Sequence, residues 1–206
     1  MSKNIAIFSA KGGVGKTFVA VNLAVSLANA GKSTMLLDFD LMAGQDMGRT
    51  LGILPRNSIF DLIPILDKPE AKETIKTYVT KHKSRLGFLP AVTDSRQSPH
   101  IRPEIISKTF GLLKDLYEYI VVDAGKALTD SMLGVLNESN LILLIVTPDV
   151  LSVYQTKWTI DTLQSLIFPL KMFKLIINRA ESRGAVTWQE VKSAIDCDVL
   201  GLIPSE

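Results

Sequence analysis

The chain has 206 residues and a mass of 22.6 kDa, which is the size of one ordinary domain. Its 23 basic residues nearly balance its 21 acidic ones, so the net charge of +2 argues against a dedicated nucleic-acid-binding protein. Hydrophobic residues make up 47% of the chain, yet no apolar run approaches the roughly 20 residues that span a bilayer. With no signal-peptide pattern and Cys197 as the single cysteine, we expect a globular protein of the reducing cytoplasm.

Short apolar runs alternate with amphipathic stretches along the chain. The apolar runs predict strands at 5–8, 35–37, 86–89, 119–122, 141–146, 173–177 and 199–203. The other stretches predict helices at 17–30, 46–54, 70–81, 103–116, 129–138, 151–166 and 187–195, and a loop at 94–103. Most strands are apolar at consecutive positions, so both of their faces should be covered. We therefore predict an α/β fold with a mostly parallel sheet flanked by helices on both faces, in a single domain over residues 1–206.

A glycine-rich segment at residues 9–17, SAKGGVGKT, follows the first predicted strand and opens the first predicted helix. Glycines in such a loop allow successive backbone N–H groups to face phosphate oxygens at a helix N-terminus. The lysine before the threonine, Lys16, would reach the β- and γ-phosphates, and the hydroxyl of Thr17 would ligate Mg²⁺. The predicted nucleotide-binding residues of this loop are Gly12, Gly13, Val14, Gly15, Lys16, Thr17 and Phe18.

The loop departs from the common P-loop pattern at its start. Ala10 stands where that pattern has a glycine, and a second lysine, Lys11, follows it. The resulting sequence KGGVGKT resembles the deviant Walker A motif of the MinD/ParA family of ATPases. This resemblance implies a P-loop NTPase fold, ATP and Mg²⁺ as ligands, slow hydrolysis and a homodimer formed through ATP. It also implies that Lys11 reaches across the dimer to the partner's phosphates, the alternative being a solvated loop lysine.

Three aspartates end predicted strands on the side of the phosphate loop. Asp38 and Asp40 end the second strand, and Asp123 ends the strand at 119–122. Ligands bind beyond the carboxyl ends of parallel strands, and Mg²⁺ prefers oxygen ligands. The two segments resemble switch I and the Walker B strand of the family. The resemblance implies that Asp40 orients the attacking water and that Asp38 and Asp123 help to hold the metal. For Asp38 and Asp40, the alternative role is to cap the turn that follows the strand.

The segment after Asp123 departs from the family pattern. It reads AGKALTD at residues 124–130, without the proline that is usual there. We expect the N–H of Gly125 to reach the terminal phosphate. Lys126 has two interpretations: it projects toward the site or a partner, or it is an ordinary surface lysine.

Two residues at later strand ends are candidates for a base pocket. By resemblance to the family, Asn178 would pair with the adenine edge through its amide donor and acceptor, and Pro204 would line the face of the ring. Both residue types are also ordinary turn formers at strand ends. The family usually continues for several dozen residues beyond this point, so the sequence is either trimmed or naturally short.

Residues 86–123, 146–150 and 178–179 resemble the CpaE/TadZ branch of the family, the pilus-assembly ATPases. This resemblance implies an ATP-driven dimerisation switch that positions a pilus, secretion or motility machine and binds that machine's proteins. A DNA-partition ATPase and a non-hydrolysing nucleotide-binding scaffold are the alternatives. The complete set of candidate catalytic and metal-binding side chains argues against the scaffold: Lys11, Lys16 and Asp40 for catalysis, and Thr17, Asp38 and Asp123 for the metal.

The sequence gives little support to nucleic-acid or membrane binding. A basic patch could contact DNA phosphates, but a solvated helix end is the simpler interpretation. Its members are Lys76, Lys81, His82, Lys83 and Arg85. Residues 198–206 are an apolar strand and turn rather than a basic amphipathic helix, so we predict no direct attachment to membranes.

Overall fold

A mostly parallel sheet forms the centre of the protein in a computed structural model, which describes residues 2–42, 46–182 and 186–205. The eight strands of this part of the chain are β1 (Lys3–Phe8), β2 (Thr34–Asp38), β3 (Thr80–Lys81), β4 (Gly87–Pro90), β5 (Tyr119–Asp123), β6 (Leu141–Val146), β7 (Phe173–Asn178) and β8 (Val199–Ile203). Their spatial order is β3-β4-β2-β5-β1-β6-β7-β8, and every neighbouring pair is parallel except β3 with β4. The chain reverses its direction of winding at β1, which is where open α/β sheets bind ligands.

Helices connect the strands. In the described residues they are α1 (Lys16–Asn29), α2 (Asp46–Leu51), α3 (Ile59–Leu62), α4 (Ala71–Tyr78), α5 (Pro103–Leu113), α6 (Asp130–Asn137), α7 (Val150–Ser165) and α8 (Trp188–Ala194), with 3-10 helices at Ile63–Ile65, Ser95–His100 and Leu170–Met172. Side chains of Thr129, Asp149 and Thr187 accept hydrogen bonds from backbone N–H groups in the first turns of α6, α7 and α8. None of these helices is long and apolar enough to cross a membrane.

Both faces of the sheet are buried, as the consecutive apolar residues predict. Along β1, Ala6 and Phe8 pack into one hydrophobic cluster with residues of α5, α6 and α7. Ile7 points to the other face and packs into a second cluster with α1 and α2. The predicted fold class, a mostly parallel sheet flanked by helices on both faces, is confirmed.

The edge of the sheet beyond β4 differs from the prediction. The helix expected at 70–81 ends at Tyr78, because Val79 is extended and Thr80–Lys81 pair antiparallel with β4. The basic patch is therefore split: Lys76 lies on α4, whereas the residues from Lys81 onward form β3 and the turn into β4.

Several short helices also differ from the prediction. The loop expected at 94–103 contains a 3-10 helix, since Asp94 caps the backbone N–H of Arg96. Helix α2 ends at Leu51, before Gly52 with its positive φ of 68°, rather than at residue 54. Helix α3 is not among the predicted helices, and it begins where the backbone N–H and the hydroxyl of Ser58 both donate to Oδ2 of Asp61.

Candidate functional site

The predicted phosphate loop lies between the end of β1 and the start of α1. Gly13 and Gly15 have φ angles of +77° and +93°, which side-chain-bearing residues rarely adopt. Gly15 is the N-cap of α1, so the loop places backbone N–H groups at the positive end of a helix dipole. Val14, between the two glycines, is buried and fixes the loop against the core cluster that contains α1.

A buried cluster of charges connects this loop to the carboxyl end of β5. The ammonium Nζ of Lys16 lies 2.6 Å from Oδ1 of Asp123 and 3.7 Å from Oδ2 of Asp40. The hydroxyl of Thr17 donates to Oδ2 of Asp123 over 2.6 Å. Lys16 and Asp123 are both buried, so their attraction is weakly screened by solvent. The structure thus brings together the lysine, threonine and Walker B aspartate that the sequence predicts.

The third carboxylate, Asp38, lies in register with Asp123 on the neighbouring strand. Burial raises the pKa of Asp38 to about 7, and the negative charges of Asp123 and Asp40 act in the same direction. The backbone N–H of Asp40 donates to Oδ1 of Asp38 over 3.0 Å and opposes part of this shift. A cation near these carboxylates would favour the charged form of Asp38.

The donor set fits Mg²⁺ in the presence of a nucleotide. In the described ranges no group of three or more histidine, cysteine or acidic side chains is arranged to hold a metal by itself. Mg²⁺ keeps several waters and commonly uses one or two protein oxygens together with substrate phosphates. The hydroxyl of Thr17 and the carboxylate of Asp123, already 2.6 Å apart, supply such oxygens beside the phosphate loop.

Lys11 is partly exposed, and its ammonium group has an acidic partner. Its Nζ forms an ion pair of 2.8 Å with Oδ1 of Asp149, the N-cap residue of α7. Partial burial raises the pKa of Asp149, but hydrogen bonds from Lys11, Thr147 and the backbone of Ser152 outweigh it and hold that pKa below its ordinary value. Asp149 is not among the site residues that the sequence predicts. An aspartate before a helical stretch indicates an N-cap, but that pattern gives no reason to pair it with Lys11.

Asn178 packs against the phosphate loop. Its Nδ2 donates to the carbonyl oxygen of Val14 over 2.7 Å, and a Cβ on Gly15 would lie only 2.4 Å from the same nitrogen. This bond uses one of the two N–H groups on Nδ2, so the second N–H group and Oδ1 remain for the predicted pairing with adenine. Pro204 is exposed and follows Ile203, the register partner of Asn178.

Gly125 and Phe18 are two further residues that the sequence predicts to contact the nucleotide. The N–H of Gly125 donates to Oδ1 of Asp123 over 3.3 Å, so this donor is directed at the carboxylate rather than kept free for the terminal phosphate. Phe18, in the first turn of α1, is 59% exposed. Its ring therefore projects from the phosphate-loop edge of the helix.

Residues 2–171 match the protein family AAA_31, which is described as an AAA domain. The chain belongs to this family. Antiactivator FleN of Pseudomonas aeruginosa is 28% identical over 182 residues, which are 86% of this chain and 62% of FleN. A ParA family ATPase from Chlorobium tepidum has a TM-score of 0.90 and 22% identity, with 100% of this chain and 84% of that one covered. The septum site-determining protein MinD from Pyrococcus horikoshii, complexed with Mg-ADP, has a TM-score of 0.83 and 21% identity, with 100% and 82% covered.

The AAA_31 protein is thus similar to a ParA family ATPase and to MinD, the family whose phosphate loop its own loop resembles. The two solved structures are distant in sequence and show the shared fold. The matches do not single out the CpaE/TadZ branch. The chain spans 62% of the length of FleN, so the activity and partners of that longer protein do not transfer to it directly.

Proposed function

We propose that this AAA_31 protein is a cytoplasmic, Mg²⁺-dependent ATPase whose single domain dimerises with ATP and positions a cellular machine. The observation that carries the proposal is the contact of Lys16 and Thr17 with Asp123, each 2.6 Å long, at the phosphate loop. The name of one relative supports positioning: MinD from Pyrococcus horikoshii is a septum site-determining protein. A pilus, secretion or motility machine is the proposed cargo, following the CpaE/TadZ resemblance.

Nucleotide binding requires the buried charges to change partners. Lys16 would leave Asp123 for the β- and γ-phosphates, and the freed carboxylate would face Mg²⁺ together with Thr17. Bound Mg²⁺ would neutralise phosphate charge. Asp40, partly exposed and 3.7 Å from Lys16, is placed to orient a water molecule toward the terminal phosphate. Asn178 would present Oδ1 and one N–H group of Nδ2 to the base while the other N–H group holds the loop through Val14.

ATP turnover and oligomeric state measured together test the proposal. We expect slow Mg²⁺-dependent hydrolysis and a dimer with ATP that dissociates with ADP. Lys16→Ala should weaken nucleotide binding at least tenfold, because it removes a charge-assisted contact to phosphate. Lys157→Ala, which removes an exposed lysine of α7, is the matched control and should bind as the wild type does. Binding that is equal in both variants would contradict the proposed site.

The two alternatives predict different results. A scaffold would bind Mg·ATP and dimerise without turnover, even with its protein partners present. A DNA-partition ATPase would bind DNA in an ATP-dependent and salt-sensitive way. The nearly balanced charge of the chain, +2 overall, gives no support to the DNA-partition alternative.

A further inference from the structure

A third lysine lies beside the phosphate loop. Lys126 follows Gly125, which has a φ of +74°, in the connection between β5 and α6. A Cβ on Gly12 would lie 4.0 Å from Cδ of Lys126, so the methylene chain of the lysine packs against the first glycine of the loop. Lys126 is exposed, and among the described residues its ammonium group forms no ion pair or hydrogen bond, in contrast to Lys11 and Lys16.

Lys126 lines two cavities. The smaller, of about 100 Å³, is also lined by Asp40 and Gly125. The larger, of about 460 Å³, is also lined by Ala10 and by Tyr154 of α7. Because Lys126 shares the smaller cavity with Asp40, its flexible side chain can reach the space in which Asp40 would orient water.

The charges around this space favour an additional cation. Asp38, Asp40 and Asp123 contribute carboxylates, whereas Lys16 is the ammonium group that contacts two of them. A bound triphosphate would add further negative charge. Lys126 can approach it without first breaking an ion pair, unlike Lys11 and Lys16.

We propose that Lys126 is a further phosphate-binding residue, which contacts the terminal phosphate of the nucleotide held by its own subunit. The inference rests on the proposed function, since it requires ATP binding at this loop. We place the contact within one subunit because the stem of Lys126 lies beside Gly12 of the same chain. Lysine suits this role as a point charge on a flexible stem with three donors.

The affinities of Mg·AMPPNP, a non-hydrolysable ATP analogue, and Mg·ADP distinguish this role. Lys126→Ala should weaken AMPPNP binding roughly tenfold, as expected for a lost charge-assisted contact, and leave ADP binding unchanged. Lys126→Arg keeps the charge and should restore most of the loss. Lys157→Ala is the control for removing an exposed lysine elsewhere, and melting temperatures of all variants verify their folding.

Three results would overturn the inference. Equal losses for AMPPNP and ADP would mean that Lys126 only supports Gly12 by packing. Unchanged affinities would mean that it is a surface lysine. The third result concerns a Lys11→Ala background, in which dimerisation is reduced. If Lys126→Ala no longer weakens AMPPNP binding in that background, the contact is to the partner's nucleotide. Failure of the proposed function is separate, because the wild type would then bind neither nucleotide.

Discussion

Asp149 ties the second lysine of the phosphate loop to the start of α7. Its Oδ1 accepts hydrogen bonds from Nζ of Lys11 at 2.8 Å and from the backbone of Ser152 at 2.9 Å. Its Oδ2 accepts from the hydroxyl of Thr147 at 2.7 Å. Lys11 is thus anchored to a helix end. If Lys11 contacts the partner's phosphates in a dimer, this ion pair must open first.

Lys11→Ala should reduce ATP-dependent dimerisation while nucleotide binding by the monomer is largely kept. The reason is the division of roles between the two lysines: Lys16 lies in the buried cluster of its own subunit, whereas Lys11 is held at the partly exposed rim. Sedimentation velocity with Mg·AMPPNP measures the monomer–dimer equilibrium. An equilibrium identical to that of the wild type would exclude the role of Lys11 across the dimer.

Asp149→Asn should strengthen ATP-dependent dimerisation by a few-fold. Asparagine remains a good N-cap for α7, so the substitution removes the charge and keeps the cap. Partly exposed ion pairs contribute about 0.2–1 kcal/mol, which sets the size of the effect. Asp149→Ala serves as the comparison, because it also loses the cap and should be about 1 kcal/mol less stable. Weaker dimerisation of Asp149→Asn would indicate that the dimer keeps the ion pair.

Gly15→Ala should destabilise the protein by about 2 kcal/mol or more and weaken nucleotide binding. The new Cβ would be placed at a φ of +93° and 2.4 Å from Nδ2 of Asn178. Asn178→Ala should cost about 2 kcal/mol, because it leaves the carbonyl of Val14 without its donor. Urea unfolding of both single variants and the double variant measures their coupling. The double variant should be more stable than additivity predicts, since the alanine at 178 relieves the contact.

The sequence alone predicts some of these contacts and not others. Apolar runs and capping residues predict most strands and helices, because these are local properties of the chain. The cluster of Lys16, Thr17 and Asp123 follows from where parallel strands end. The contacts of Lys11 with Asp149 and of Asn178 with Val14 join residues 138 and 164 positions apart. No local pattern specifies them, since they depend on where the fold places the start of α7 and the end of β7 relative to the phosphate loop.

Asp38 should make the nucleotide-free protein less stable as the pH rises. Its pKa is raised to about 7 in the folded state from 3.8, so folding favours the protonated form. The contribution of Asp38 to the free energy of unfolding is complete below pH 3.8 and is lost as the pH rises through about 7. The free energy of unfolding changes by about 4 kcal/mol at most. Asp38→Asn should therefore gain stability over the wild type between pH 5 and pH 8, by urea unfolding with a chelator. A stability difference between Asp38→Asn and the wild type that is constant with pH would contradict this prediction. Asp161→Asn, on the exposed side of α7, is the control.

Asp40→Ala should abolish ATP hydrolysis while Mg·ATP stays bound. Lys16, Thr17 and Asp123 remain in place, and Asp40 is only the more distant carboxylate of Lys16, at 3.7 Å against 2.6 Å for Asp123. Phosphoryl transfer depends on positioning and electrostatics, so one misplaced water molecule lowers the rate by orders of magnitude with little loss of affinity. The variant should accumulate as a dimer with ATP but not with ADP, visible by size exclusion.

Asp40→Asn tests whether charge or shape of the side chain is required. It keeps the size of the side chain but weakens its ability to accept a proton or a hydrogen bond from water, so we expect it to be as inactive as Asp40→Ala. Single-turnover phosphate release on preformed dimers separates hydrolysis from product dissociation. Wild-type rates in both variants would mean that Asp40 only forms part of the turn that follows β2. In that turn its backbone N–H donates to Oδ1 of Asp38 over 3.0 Å. Another group would then have to orient the water.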